Sequence, residues 1–92
     1  MPKNEKMLER IKLVGLCQMY DGSEEEFQII VNMFINLPGL GTLYTDYTNI
    51  IVDNLEPDVA PHTVRMWAHG DCSPIASRRL EVVKLITEML ML

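Results

Sequence analysis

The segment from Ser23 to Ile35 constrains the fold of this chain more than any other stretch of its sequence. Three glutamates follow Ser23, and a serine placed three residues before Glu26 is the pattern of a capping box at the start of a helix. Apolar residues then recur three, four, seven and eight positions after the first one, which is the spacing of a single helix face: Phe27, Ile30, Val31, Phe34 and Ile35. The segment is therefore predicted to be an amphipathic helix.

A first helix is predicted ahead of this segment, from Asn4 to Tyr20. Asn4 is a residue type that caps helices, and the pair Asp21-Gly22 ends the pattern. The apolar stripe of this helix is predicted to consist of Met7, Leu8, Ile11, Val14 and Met19. Residues 1–40 are therefore interpreted as an N-terminal helix pair that ends at the glycine-rich turn near residue 39.

Three more helices are predicted in residues 41–92. The segment 42–55 has one apolar face, although its threonines, tyrosines and paired β-branched residues also favour a strand. Pro61 suits the first turn of a fourth helix, because a proline lacks the N–H that this turn leaves unused, and Gly70 ends that helix. Ser73 is predicted to cap a fifth helix that starts at Pro74 and continues to the C-terminus.

Five helical patterns without a strand–turn–strand pattern predict an all-α fold, a compact bundle of about five helices in one domain spanning residues 1–92. The composition, with 48% hydrophobic and 23% charged residues, is typical of a folded globular protein. No apolar run approaches the ~20 residues that a membrane span needs. The N-terminus also lacks the order of a secretory signal, so a cytoplasmic location without membrane contact is expected.

The charge distribution separates the C-terminal third from the rest of the chain. The formal net charge is −5, which argues against strong non-specific binding to nucleic acid. Residues 59–92 nevertheless carry four basic side chains and three acidic ones, whereas every charged side chain in residues 41–58 is acidic. This asymmetry permits a local contact with DNA in the last third of the chain.

The predicted fourth helix divides its residues between an apolar and a polar side. Val64 and Trp67 are predicted to face the protein core. The pattern of Val59, Thr63, Val64, Trp67, Gly70, Pro74 and Arg79 resembles the phage-repressor and Cro-type helix-turn-helix family. The resemblance covers roughly residues 43–92, and it implies that residues 60–69 form a recognition helix in the major groove of DNA.

The resemblance also implies roles for the residues on the outer side of the fourth helix and for the basic residues that follow it. The residues that would contact base edges are His62, Thr63, Arg65, Met66 and His69. Arg65 is the best candidate for a bidentate contact with guanine, because its planar fork of donors matches O6 and N7. The residues that would bind the phosphate backbone are Arg78, Arg79 and Lys84.

Two functions follow as hypotheses from different classes. The resemblance implies a sequence-specific, DNA-binding transcriptional regulator of phage or mobile-element type, which binds double-stranded DNA as a homodimer on a two-fold site. The alternative is an acidic protein-binding module, an inhibitor or adaptor of a host protein or transcription complex, which does not bind DNA directly. The charge balance favours this alternative.

No motif of the sequence indicates catalysis, a cofactor or a metal. A glycine-rich phosphate loop, a nucleophile motif and carboxylates at acid–base spacing are all missing from the sequence, so an enzyme is not expected. The spacing of His62, His69 and Cys72 fits no common zinc site, and Cys17 is remote in sequence. The apolar C-terminus, Met89-Leu90-Met91-Leu92, is a candidate surface for self-association.

Overall fold

A computed structural model describes the backbone of residues 2–37, 47–55 and 59–91, and within these ranges the side chains from residue 8 onwards. All of the regular secondary structure in the described residues is helical, which confirms the predicted all-α fold. Its helices are α1 (Pro2–Gln18), α2 (Glu24–Ile35), α3 (Tyr47–Asp53), α4 (Pro61–His69) and α5 (Ala76–Leu90). The part of the third predicted helix from residue 42 to residue 46 lies outside the described residues.

The start of α2 contains half of the predicted capping box. The Ser23 hydroxyl accepts a hydrogen bond from the backbone N–H of Glu26 at 3.1 Å, as the sequence predicts. The Glu26 carboxylate does not bind the N–H of Ser23, but accepts a hydrogen bond from the N–H of Asp21 at 3.1 Å. The N–H of Ser23 instead donates to the Asp21 carboxylate at 2.8 Å. The cap is therefore extended by two residues into the preceding turn.

Two of the predicted helix starts are wrong. Helix α1 begins at Pro2, so Asn4 lies inside its first turn and is not its N-cap. Helix α5 begins at Ala76, and neither Ser73 nor Pro74 belongs to it. The Pro74 carbonyl accepts a hydrogen bond from the Arg79 guanidinium at 2.7 Å, and the backbone N–H of Arg79 donates to the carbonyl one residue later, at Ile75. The Arg79 side chain thus binds the Pro74 carbonyl, which would have accepted a backbone hydrogen bond in the first turn of the predicted helix.

The apolar face predicted for α1 is wrong at most of its described positions, and of these only Val14 packs against the core. Leu8 is 53% exposed, Ile11 is 62% exposed and Met19 is 80% exposed. The side that packs into the protein instead contains Leu13 and Cys17, which are both buried. Because α1 has apolar residues on two sides, helical spacing alone does not distinguish the inner from the outer side.

Helix α2 is the centre of the packing, since it contacts each of the other four helices. The predicted core residues Phe27, Ile30, Val31 and Phe34 are all buried on it. Helix α4 packs on α2 and α3 and, among the described residues, contacts neither α1 nor α5. The radius of gyration of 12.5 Å is close to the ~12 Å expected for a compact chain of this length.

Helices α1 and α5 form an antiparallel pair on α2. Arg10 of α1 donates hydrogen bonds to the carbonyl of Leu90, at the end of α5. Arg79, near the start of α5, donates to the carbonyl of Gly22, just after α1. Leu90 is buried and Met91 is exposed, so the protein covers part of the apolar C-terminal segment. None of the helices that the structure describes has the length and apolar character needed to cross a membrane.

Candidate nucleic-acid interface

One side of α4 attaches this helix to the protein. Val64, Trp67 and Ala68 are buried, as the sequence predicts for the first two. The Trp67 ring meets the ring of Phe27 on α2 edge to face, with 5.8 Å between the ring centroids. The Ala68 carbonyl accepts a hydrogen bond from the Asn32 side chain, also on α2, at 3.2 Å. Apolar packing and one polar contact therefore fix the helix against α2.

Both ends of α4 follow from local sequence signals. Pro61 is its first residue, as predicted, and Ala60 precedes it with an extended backbone. Gly70 ends the helix in the left-handed conformation, with φ of 81°. The N–H of Asp71 then donates to the Met66 carbonyl at 3.1 Å, which is the bond of a Schellman-type helix end. A side chain at Gly70 would also approach the Gln28 amide to 2.8 Å.

The opposite side of α4 holds most of the predicted base-contacting residues. His62, Arg65 and His69 are exposed, and Met66 is half-buried. These four positions are separated by three, four and seven residues, so they share one face of the helix. Thr63 is half-buried and lies on the flank of this face. We call the surface of His62, Thr63, Arg65, Met66 and His69 the α4 surface. It contains no carboxylate.

The connection before α4 is longer than the turn of a standard helix-turn-helix. Helix α3 ends at Asp53 and α4 begins at Pro61, so seven residues (54–60) join them. A standard turn has three or four residues. Asn54 is exposed, and its side-chain amide donates to the Ile50 carbonyl at 2.8 Å, which completes the end of α3. Leu55 is buried and Val59 half-buried, so apolar side chains near both ends of the connection pack onto the protein.

The three predicted phosphate contacts lie on α5 in different environments. Lys84 is exposed. Arg78 forms an ion pair with Glu81, one turn along the same helix, with 2.8 Å between nitrogen and oxygen. Arg79 is directed into the protein, where its side chain is 13% exposed. The structure therefore does not bring these three cations together on one open surface.

Arg79 binds the two connections that meet at the start of α5. Its Nε donates to the Gly22 carbonyl at 3.2 Å, and its Nη1 donates to the Pro74 carbonyl at 2.7 Å. The same Nη1 lies 3.7 Å from the Glu24 carboxylate. Partial burial raises the pKa of the Tyr20 hydroxyl above its ordinary value, and a hydrogen bond with Arg79 opposes that shift. We call the contacts of Arg79 with Gly22, Pro74 and Glu24 the Arg79 clamp.

An acidic cleft of about 340 Å³ lies beside the C-terminal end of α4. Three acidic residues, Glu24, Glu25 and Asp71, are among those that line it, together with Phe27 and Trp67. The negative charge of the protein therefore borders one end of the α4 surface. A phosphate within about 8 Å of these groups would experience repulsion at physiological salt.

The two cysteines differ in their surroundings. Burial raises the pKa of the Cys17 thiol, and a hydrogen bond with Thr87 opposes this shift. Cys72 is exposed in the connection after α4. Within residues 2–37, 47–55 and 59–91, no three histidine, cysteine or acidic side chains meet in a group that could hold a metal ion.

Sequence reasoning missed the Arg79 clamp and the packing of Gln28 against Gly70. Gly22 is 57 positions from Arg79, and no local pattern indicates that the two meet. Comparison of the chain with protein-family models, with curated proteins and with solved structures gives no match.

Proposed function

We propose that the protein is a sequence-specific, DNA-binding transcriptional regulator that inserts α4 into the major groove. The observation that carries this proposal is the division of α4 into a buried side and an exposed polar side without a carboxylate. The major groove is about 12 Å wide and admits one helix. Among the described residues, α4 contacts α2 and α3 but neither α1 nor α5, and its outer side is exposed at His62, Arg65 and His69.

The α4 surface offers the chemistry that base recognition uses. Arg65 is exposed within the face formed by His62, Met66 and His69, and its guanidinium can donate two hydrogen bonds to guanine O6 and N7. The two histidines can donate to base edges and phosphates, and can accept from donors on base edges. The half-buried Met66 offers an apolar contact for a thymine methyl group. On α5, the exposed Lys84 would bind the phosphate backbone, which orients the protein on DNA, whereas Arg78 would have to exchange its ion pair with Glu81 for such a contact.

The proposal includes a homodimer that binds a two-fold site in the cytoplasm. A two-fold protein reads two half-sites one helical turn apart, and the second half-site multiplies the specificity of a small recognition surface. Each copy of such a dimer also adds a net charge of −5, so the contacts of both α4 surfaces would have to outweigh the resulting repulsion.

The second candidate function is an acidic module that binds a basic surface of a host protein. The acidic cleft beside α4 favours it, since Glu24, Glu25 and Asp71 concentrate negative charge at one place. On this alternative the α4 surface is not a DNA-binding element, and DNA affinity at physiological salt is expected to be negligible.

The deciding experiment is the selection of bound duplexes from a random DNA pool with the untagged protein at about 150 mM salt. Enrichment of a motif with two-fold symmetry supports the proposed regulator and gives its half-site spacing. The same selection with Arg65→Ala is the control, and it should lose preference at one base position of each half-site. If the folded protein enriches no sequence, DNA recognition is contradicted and the acidic module is favoured.

A further inference from the structure

We propose that Arg79 is a positioning residue of the α4 surface, which fastens the connection after α4 to the start of α2 and does not itself bind phosphate. This inference rests on the proposed function for its effect on DNA, although its effect on the free protein does not depend on DNA. It also reverses the role that the family resemblance implies for Arg79.

The guanidinium of Arg79 is already occupied within the protein. Two of its nitrogens donate to the carbonyls of Gly22 and Pro74, at 3.2 and 2.7 Å. The Glu24 carboxylate lies 3.7 Å from the second of these nitrogens. Charge-assisted hydrogen bonds of this kind are roughly twice as strong as neutral ones, and a phosphate would have to replace them. The carboxylate beside the guanidinium would also repel an incoming phosphate.

The connection between α4 and α5 is approached by α2 at its start and bound at its end. At its start, the Gln28 side chain of α2 lies where a Cβ on Gly70 would be, although Gly70 itself is exposed. At its end, the Pro74 carbonyl accepts a hydrogen bond from Arg79. Arg79 also donates to the carbonyl of Gly22, which lies two residues before α2. Since α4 and α5 do not contact each other among the described residues, they are linked by this connection and by α2 and α3, each of which contacts both helices. The Arg79 clamp therefore helps to fix where the C-terminal end of α4 lies on α2.

The planar fork of arginine is well suited to this clamp. Two carbonyls in different parts of the chain accept from nitrogens that a rigid group holds at a fixed separation. A lysine at the same position would keep the positive charge but lose this geometry. The Arg79→Lys variant therefore separates the two roles, because a phosphate contact tolerates lysine whereas the clamp does not.

The test compares Arg79→Lys and Arg79→Gln with the control Lys12→Gln. The control removes one positive charge from an exposed side chain of α1, which pairs with Glu9 of the same helix and is not among the proposed DNA contacts. In the free protein, we expect both Arg79 variants to speed hydrogen exchange at the amides of Gly70 and Asp71, whereas the control leaves this exchange unchanged. Far-UV circular dichroism shows whether each variant is folded, and Arg79→Lys alone is sufficient if Arg79→Gln unfolds.

Titration of a selected DNA site at several salt concentrations supplies the second measurement. We expect both Arg79 variants to bind roughly two- to thirtyfold more weakly than the parent protein, with an unchanged salt slope. The inference is overturned if Arg79→Lys binds like the parent while Arg79→Gln lowers the salt slope by about 0.9, the amount expected for one lost phosphate contact. It is equally overturned if neither variant changes exchange at Gly70 and Asp71.

The failure of this inference is distinguishable from the failure of the proposed function. If the parent protein binds no DNA, the function is contradicted. The exchange of Gly70 and Asp71 in the free variants still shows whether Arg79 positions the end of α4.

Discussion

The two sides of α4 differ in how they are held and in what they can contact. The inner side buries Val64, Trp67 and Ala68 against α2 and α3, with an aromatic contact and a hydrogen bond to α2. On the outer side, His62 and Arg65 are exposed to solvent. The inner side therefore determines the stability of the protein and the placement of α4. The outer side is expected to contribute less to stability, and it is the side on which we propose recognition.

This division means that stability and binding can be changed separately. A substitution on the inner side creates a cavity or leaves a polar group without its partner, and both effects are costly in a small core. A substitution at an exposed site on the outer side of a helix usually changes the free energy of unfolding by less than about 0.5 kcal/mol.

Trp67→Ala tests the inner side and has the largest expected effect. Loss of the indole from its contact with Phe27 should lower the free energy of unfolding by about 3–5 kcal/mol. Urea unfolding followed by circular dichroism measures this loss. Met66→Ala is the control, because the neighbouring Met66 belongs to the α4 surface and its truncation should cost clearly less. Equal losses in the two variants would contradict the division of α4 into two sides.

Arg65→Ala tests the outer side. It should weaken binding to the selected DNA site by about 1–3 kcal/mol, because a bidentate contact with guanine is lost. Its unfolding curve should overlay that of the parent protein. Fluorescence anisotropy with labelled duplexes, repeated with each base substituted at the affected position, measures the binding. Unchanged base preference would remove Arg65 from the base-contacting residues.

Gly70→Ala tests the point where the inner side ends. A positive φ costs a residue with a side chain about 1–2 kcal/mol, and the new methyl group would also displace Gln28. Gly22→Ala is a matched control, since Gly22 also has a positive φ but has open space around it. Gly70→Ala should therefore be the less stable of the two. Adding Gln28→Ala should return its stability to that of the control, and failure to do so would contradict the close packing.

Ser23→Ala has the smallest expected effect, and it acts on the helix that supports α4. Loss of the hydrogen bond to the N–H of Glu26 should lower the free energy of unfolding by about 1 kcal/mol. Ser73→Ala is its counterpart, since Ser73 lies before α5 and does not cap it. Thermal denaturation should show a lower midpoint for the first variant alone. A matching decrease for Ser73→Ala would mean that this serine has a capping role after all.

The parts of the fold that could be predicted are those that depend on neighbours in sequence. Ser23 caps α2, Pro61 begins α4 and Gly70 ends it, because each requirement is met within one helical turn. The division of α4 was also predicted, since Val64 and Trp67 are separated by three positions on an otherwise polar helix. The use of its outer side remains a proposal.

The parts that could not be predicted depend on contacts between distant residues. The start of α5 is displaced because Arg79 binds the Pro74 carbonyl, and Arg79 itself is directed inward by Gly22. The inner side of α1 was assigned incorrectly because Leu8 and Ile11 satisfy helical spacing as well as the buried residues do. The packing of both α2 and α5 on α1 determines which side is covered.

The different environments of the two cysteines make the unmodified protein suitable for chemical labelling. Cys72 is exposed at the end of α4, whereas the thiol of Cys17 is buried and its pKa is raised. A maleimide dye should therefore attach at Cys72 and leave Cys17 unmodified, without any engineered substitution. The dye would lie in the connection after α4, three positions after His69 of the α4 surface. Its fluorescence would report the approach of a duplex or of a second protein from the side of the molecule where recognition is proposed.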